Sequence, residues 1–420
     1  MDKYVINGGR TLSGSIRAQG SKNAVLPMMS AALLPEGTTV FDGVPDITDI
    51  HTMSAVLESF GATVKYVKGT LSIDSTTVNN KTAPYDLVRR MRASISVLGP
   101  LLGKYGYAEV SLPGGCAFGP RPVDLHLRAL EALGAEINLD SGYIVAKAKK
   151  LKGNKVYLAG PAGPSRGATA NLMTAACLAD GTTVIEEAAR EPETVDLANM
   201  LIAMGADIEG AGTGKVVIKG VKKLKPIEYK PMSDQIEAGT YLLCGAIAGG
   251  PVQVENANAT YLTPLLEHLN EMGVKISADD GSITTSLDGR LGPIIVHSKP
   301  YPGFPTDLQP QLMTAAATAD GRSVFVEGIY PDRFNHVPEL VRLGARIRIE
   351  GNTAVVDGVE SYKGATVMAS DIRAGAALVM AGLAARGETH VRRIYHVDRG
   401  YEKLESKLRM LGAEIERVEE

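Results

Sequence analysis

The sequence has no tryptophan, six phenylalanines and three cysteines in 420 residues. Cys116, Cys177 and Cys244 form no CxxC pair and share no ligand spacing with a histidine, which argues against a disulfide framework and against a thiolate zinc site. The histidines are scattered and make no metal set, so no metal is expected. Excess charge of one sign is also missing. With 44 Lys+Arg against 47 Asp+Glu, the net charge of −3 argues against a general nucleic-acid binder and still allows a local basic pocket. Met1–Gly20 has no apolar signal-peptide core, and the longest apolar run, Ala374–Ala385, is too short to cross a bilayer. The expectation is a cytoplasmic protein with no membrane insertion, and its length suggests two domains of about 200 residues each.

Glycine is abundant, at 46 residues, and part of it is periodic. The segments SFGATVKY, ALGAEINL, AMGADIEG, EMGVKISA, RLGARIRI and MLGAEIER place Gly61, Gly134, Gly205, Gly273, Gly344 and Gly412 about 70 residues apart. Each glycine follows a helical pattern such as Ile50, Met53, Val56, Leu57 and precedes an alternating one such as Val64, Tyr66. It therefore suits the left-handed position that ends a helix. Upstream in each unit lies a small-residue helix and a short strand, as in KNAVLPMMSAALL then TTVFDG. Three units precede the lysine-rich, proline-punctuated segment Lys222–Pro231, and three follow it. The sixth unit stops without its last strand, and the opening YVINGGRTLSGSIRAQGSK has the rhythm of the missing piece. The expected domains are 21–230 and 1–20 plus 231–420, with a hinge at the two chain crossings and a cleft between them.

Function is expected where the units differ. The first helix of each begins with Lys22-Asn23, Arg92, Arg166-Gly167, Asp234-Gln235, Thr306-Asp307 and Asp371-Ile372-Arg373: basic residues dominate the first half and carboxylates open each unit of the second. Singly, each reads as a solvated charge or a cap. Together they make a cationic face opposed by carboxylates. Three longer loops bring Arg121, Arg333 and Arg399 to second-helix N-termini, where arginines make sense if an anion arrives. One of these loops, LPGGCAFGPRPVDLH, holds Cys116 among glycines and prolines, an odd place for a residue type that is usually buried. Cys177 and Cys244 lie in apolar helices and read as core, and His126 reads as a structural histidine. GAGTGKV, at 210–216, lacks the Ser/Thr of a phosphate loop and reads as a hairpin turn.

The motifs GSKNAVLP, PYDLVRRMRAS, LPGGCAFGPRPVDLHL, FPTDLQPQ, RFNHVPEL, ASDIRAGAALV and RIYHVDRGYE resemble those of the enolpyruvyl transferases, specifically the UDP-N-acetylglucosamine 1-carboxyvinyltransferases, along the whole chain. The resemblance implies an α/β fold of two inside-out domains, each of three repeated helix–strand units. It also implies a reaction: phosphoenolpyruvate gives its enolpyruvyl group to the 3-hydroxyl of UDP-N-acetylglucosamine and releases phosphate, the first committed step of peptidoglycan synthesis, with no cofactor.

By the same resemblance Lys22, Arg121 and Arg399 hold the phosphate, Arg333 and Arg373 take the carboxylate region, and Arg92 supports the loop side. Asp307 matches the proposed base and Cys116 the proposed acid at C3. Asn23 meets the sugar, Asp371 supports the second half of the site, and Ile329 joins the substrate contacts. The nucleotide runs along Arg121, Pro122, Val123, Asp124 and Leu125, with Ser165, Arg166 and Gly167. Arg166 departs from the family pattern, in which a smaller residue is usual. The Cys116 loop is expected to act as a lid, its thiol made reactive by nearby cations and open to the phosphonate epoxide fosfomycin. The rival readings are 5-enolpyruvylshikimate-3-phosphate synthase, which uses no loop cysteine, and a non-catalytic sugar-nucleotide-binding paralogue, which would be expected to lack Lys22, Cys116 or Asp307.

Overall fold

The first unit shows how the local sequence builds the fold. In the computed structural model, which describes residues 2–112 and 123–419, Ser21 caps helix Lys22–Ala31 by accepting the Ala24 N–H. Strand Thr38–Asp42 follows, with Thr39 and Phe41 turned inward. Helix Thr48–Ser59 buries Ile50, Met53, Val56 and Leu57 on one face and ends at Gly61, whose φ is +92°. A hairpin then pairs Thr63–Val67 with Thr70–Asp74, and its tight turn puts Lys68 and Gly69 at positive φ. The other five periodic glycines also have left-handed φ, between 89° and 104°, so the repeat seen in sequence is a repeated helix stop.

Six four-stranded sheets result among the described residues, one for each unit. In the first, Glu228–Tyr229 lies parallel to Thr38–Asp42, which is followed by Thr70–Asp74 and Thr63–Val67. In the sixth, Thr366–Met368 lies parallel to Glu388–Arg392, and the strands Glu388–Arg392 and Glu414–Glu419 are not neighbours in the sheet. The chain's opening strand, Asp2–Asn7, lies antiparallel between them, with Tyr4 opposite both Val391 and Arg417. Gly14–Arg17 then runs parallel to Val252–Glu255 of the fourth unit.

The first helices are buried nearly all round. Every residue of Gln309–Ala316 is buried, as are most of Gln235–Ala248, Ile372–Ala384 and Arg166–Ala176. Helices that are apolar and small on every face belong at the centre of a core. The sheets alternate buried and exposed positions and lie outside. An α/β fold with helices inside is therefore what these units form. The chain divides into two compact units: Gly20–Met232, and the residues up to Gln19 together with those from Ser233 onward.

Candidate active site

In the unit Gly20–Met232, Lys22 is the first residue of its helix and is buried with its Nζ 3.2 Å from Asp49 Oδ2. Asp49 itself is 2% exposed. Asn23, next along, has a buried amide Nδ2 with no hydrogen-bond partner among the described residues. An orphaned donor beside a buried ammonium suits an oxygen-rich ligand. Arg92 opens the short 3-10 helix Arg92–Val97. Ser165 caps helix Arg166–Ala176, and Arg166, its first residue, lies 3.9 Å from the buried Glu193. Gly167 packs where a Cβ would come within 3.1 Å of the His126 ring.

His126 accepts from Asn171 Nδ2 at 2.8 Å, while Asn171 Oδ1 holds the Gly99 N–H. Burial pushes the imidazole down to about 4, with the Arg92 charge adding to the effect. It is a neutral histidine that fastens helices together. Val123 is the N-cap of helix Asp124–Ala132, Asp124 pairs with Arg128 at 3.0 Å on the surface, and Leu125 packs on the core. Cys116, Arg121 and Pro122 lie outside the described residues.

The second unit brings three of the sequence-predicted residues into contact. Asp307, in the 3-10 turn Thr306–Leu308, has Oδ1 2.8 Å from Arg333 Nη1 and Oδ2 3.1 Å from Arg373 Nη2. Both guanidinium side chains are 4% exposed and the carboxylate is 25% exposed. Arg373 also faces the Tyr401 ring at 5.5 Å, and the Tyr401 hydroxyl bonds Thr240 and Gln311. Burial works against the Arg373 charge, but Tyr401 and Asp307 outweigh it and hold the guanidinium protonated. The result is a carboxylate at the mouth of a pair of buried cations.

Asp234 and Asp371 are used differently. Asp234 accepts the Ile236 and Glu237 N–H groups, and Asp371 accepts those of Arg373 and Ala374, so both cap helices. Ile329 donates its N–H to Glu327 at 2.9 Å. Arg333 and Arg399 require a correction. Neither sits in the first turn of a second helix: Arg333 lies in the turn ahead of Val337–Arg342, and Arg399 ends the 3-10 helix Ile394–Arg399 ahead of Leu404–Met410. The loops fold into turns before the helices begin, and this is what directs Arg333 toward Asp307.

Residues 6–408 match the family described as EPSP synthase (3-phosphoshikimate 1-carboxyvinyltransferase). Among curated relatives, UDP-N-acetylglucosamine 1-carboxyvinyltransferase 2 of Carboxydothermus hydrogenoformans is 50% identical over 420 residues, covering 100% of both chains. UDP-N-acetylglucosamine 1-carboxyvinyltransferase of Pseudoalteromonas atlantica is 51% identical over 421 residues, again with 100% of both covered. The chain belongs to the UDP-N-acetylglucosamine 1-carboxyvinyltransferases.

Among solved structures, the enolpyruvyl transferase NikO from Streptomyces tendae superposes with a TM-score of 0.90 at 27% identity, covering 99% of each chain. EPSP synthase from Acinetobacter baumannii superposes with a TM-score of 0.76 at 20% identity over 100% of both chains, a likeness of fold. In this member of the family, no cluster of His, Cys, Asp and Glu among the described residues is arranged to hold a metal ion, and no helix among them is long and apolar enough to cross a membrane. Sequence reasoning assigned no role to Asp49, the buried partner of Lys22. The signal was its place in the first turn of a second helix, where an acidic residue passes for a response to the helix dipole.

Proposed function

We propose that this chain transfers the enolpyruvyl group of phosphoenolpyruvate to the 3-hydroxyl of UDP-N-acetylglucosamine, releasing phosphate, in the cytoplasm and as part of peptidoglycan synthesis. The observation that carries the reading on geometry is the Asp307–Arg333–Arg373 contact, supported by full-length identity to curated relatives of that name. The reaction needs a base for the hydroxyl and cations for a trianionic substrate, and this contact holds both within one ion pair of each other.

The hydroxyl oxygen bonds to C2 while Asp307 takes its proton, and C3 gains a proton from the Cys116 thiol. The Cys116 thiolate then takes a proton back from C3 as the C2–O bond to phosphate breaks, which restores the double bond and frees inorganic phosphate, and Asp307 gives its proton up to solvent. Lys22, Arg121 and Arg399 neutralise the leaving phosphate, and Arg333 and Arg373 meet the carboxylate. Asn23, with its orphaned amide, donates to the sugar nucleotide. Val123, Asp124, Leu125, Ser165, Arg166, Gly167 and Ile329 line its path, and Asp371 supports the Arg373 helix start.

Phosphate release is the test. It is expected with phosphoenolpyruvate and UDP-N-acetylglucosamine together and with neither alone. Release with shikimate 3-phosphate in place of the sugar nucleotide would favour the rival synthase. Binding of UDP-N-acetylglucosamine without release would favour the non-catalytic paralogue.

A further inference from the structure

Glu327 ends strand Arg322–Glu327, is fully buried, and takes no part in the chemistry above. A carboxylate in such a place is costly unless its oxygens are satisfied. They are, and by two different parts of the site. Oε1 accepts the backbone N–H of Ile329 at 2.9 Å and of Tyr330 at 3.1 Å. Oε2 accepts the Thr306 hydroxyl at 2.9 Å. The main chain of Glu327 is held in turn by Asn352, through a 2.8 Å bond from its N–H and a 3.1 Å bond to its carbonyl.

A hydroxyl has one proton, and Thr306 gives its proton to Glu327. The Thr306 oxygen can therefore act only as an acceptor toward Arg333, whose Nη1 lies 3.0 Å away and also 2.8 Å from Asp307 Oδ1. Glu327, Thr306, Arg333 and Asp307 are thus linked in series, with Thr306 donating to Glu327 and Arg333 donating to both Thr306 and Asp307. An apolar residue at 327 would leave the Ile329 and Tyr330 N–H groups and the Thr306 hydroxyl without their acceptor, so the carboxylate is explained by this geometry.

We propose that Glu327 is a positioning residue that sets two arms of the site at once: the Arg333–Asp307 pair through Thr306, and the Ile329 backbone directly. The inference rests on the proposed reaction and adds a residue that does not touch the reacting atoms. Its two oxygens make the arms separable. In Glu327→Gln the amide oxygen must stay on the two backbone N–H groups, because the NH2 cannot accept them. That NH2 then donates to Thr306, which receives two donors and loses the acceptor for its own proton.

Glu327→Gln is therefore expected to lower kcat/KM for phosphoenolpyruvate about 30-fold, the loss of one charge-assisted hydrogen bond. The Kd for UDP-N-acetylglucosamine alone, measured by calorimetry, should stay within about twofold, since the Ile329 arm is kept. Glu327→Ala removes both arms and should impair both parameters. Thr306→Val attacks the first arm from its other end and should reproduce the Glu327→Gln pattern, so the answer does not hang on the folding of one variant. A residue that merely holds the fold would lower both parameters and the melting temperature in parallel. Wild-type kcat/KM for phosphoenolpyruvate in Glu327→Gln or Thr306→Val, or equal losses for both substrates in Glu327→Gln, would overturn the proposal. The wild-type control separates the two questions: once it turns over both substrates, a silent Glu327→Gln counts against the positioning role alone.

Discussion

Replacing Asp307 by asparagine keeps the side-chain shape and removes the charge that lies between two buried arginines. Arg333 and Arg373 keep Thr306 and Tyr401 as neighbours but lose the carboxylate at 2.8 and 3.1 Å. Breaking a buried ion pair from one side costs about 3–5 kcal/mol. Asp307 is a quarter exposed, so water recovers part of that, and about 2–3 kcal/mol is expected for Asp307→Asn. Urea denaturation followed by circular dichroism should show the loss as a lower midpoint. Turnover should fall by about 100-fold or more if this carboxylate is the base. The two effects differ in one further respect. Phosphoenolpyruvate brings anionic groups that can replace the lost carboxylate, so it should raise the midpoint of the variant more than that of the wild type. A variant of wild-type stability and turnover, or one whose midpoint phosphoenolpyruvate leaves unmoved, would refute the reasoning.

The thiols should react unequally: an electrophilic phosphonate epoxide is expected to modify Cys116 and to spare Cys177 and Cys244, because burial pushes both of these up to about 12. Peptide mass mapping checks this, and even labelling of all three would contradict it. Stability should also decline as pH falls from about 6.5 towards 4. Burial holds His126 and His336 down at about 4 in the fold, so the unfolded chain binds more protons across that window. Glu237, which burial raises to about 7, pulls the other way but is one group against two, so midpoints that rise as pH falls across this window would show that these imidazoles are not buried and neutral. Asp49→Ala removes the carboxylate beside the Lys22 ammonium and should lower kcat/KM for phosphoenolpyruvate about tenfold. An unchanged value would mean that Lys22 does not depend on Asp49 for its placement.

The repeats were legible because a helix stop is a local event. Gly61 and its five counterparts need positive φ, and that demand appears in sequence as glycine at a fixed period. The opening strand was legible for a related reason, since a unit without its hairpin partner leaves an edge that Asp2–Asn7 fills. The buried first helices showed as small-residue runs. Side-chain direction was not legible. Asp234, Asp307 and Asp371 look alike in sequence, each opening a unit, yet two accept backbone N–H groups of their own helix and one reaches two arginines. Caps and functional carboxylates share position and residue type, and only hydrogen-bond geometry separates them. Asp49 and Glu327 were missed because each acts on a residue far along the chain, Lys22 for one and Thr306 for the other, and pairing of that kind leaves no period or motif.

The most direct test of the central claim is to identify the product. The purified chain would be incubated with phosphoenolpyruvate and UDP-N-acetylglucosamine, and the sugar nucleotide recovered and read by proton and phosphorus NMR. Inorganic phosphate and a UDP-sugar with an enol ether at the 3-oxygen are expected, formed in equal amounts. Unmodified UDP-N-acetylglucosamine, an ether at another hydroxyl, or enolpyruvyl transfer to shikimate 3-phosphate in a parallel incubation would contradict the claim.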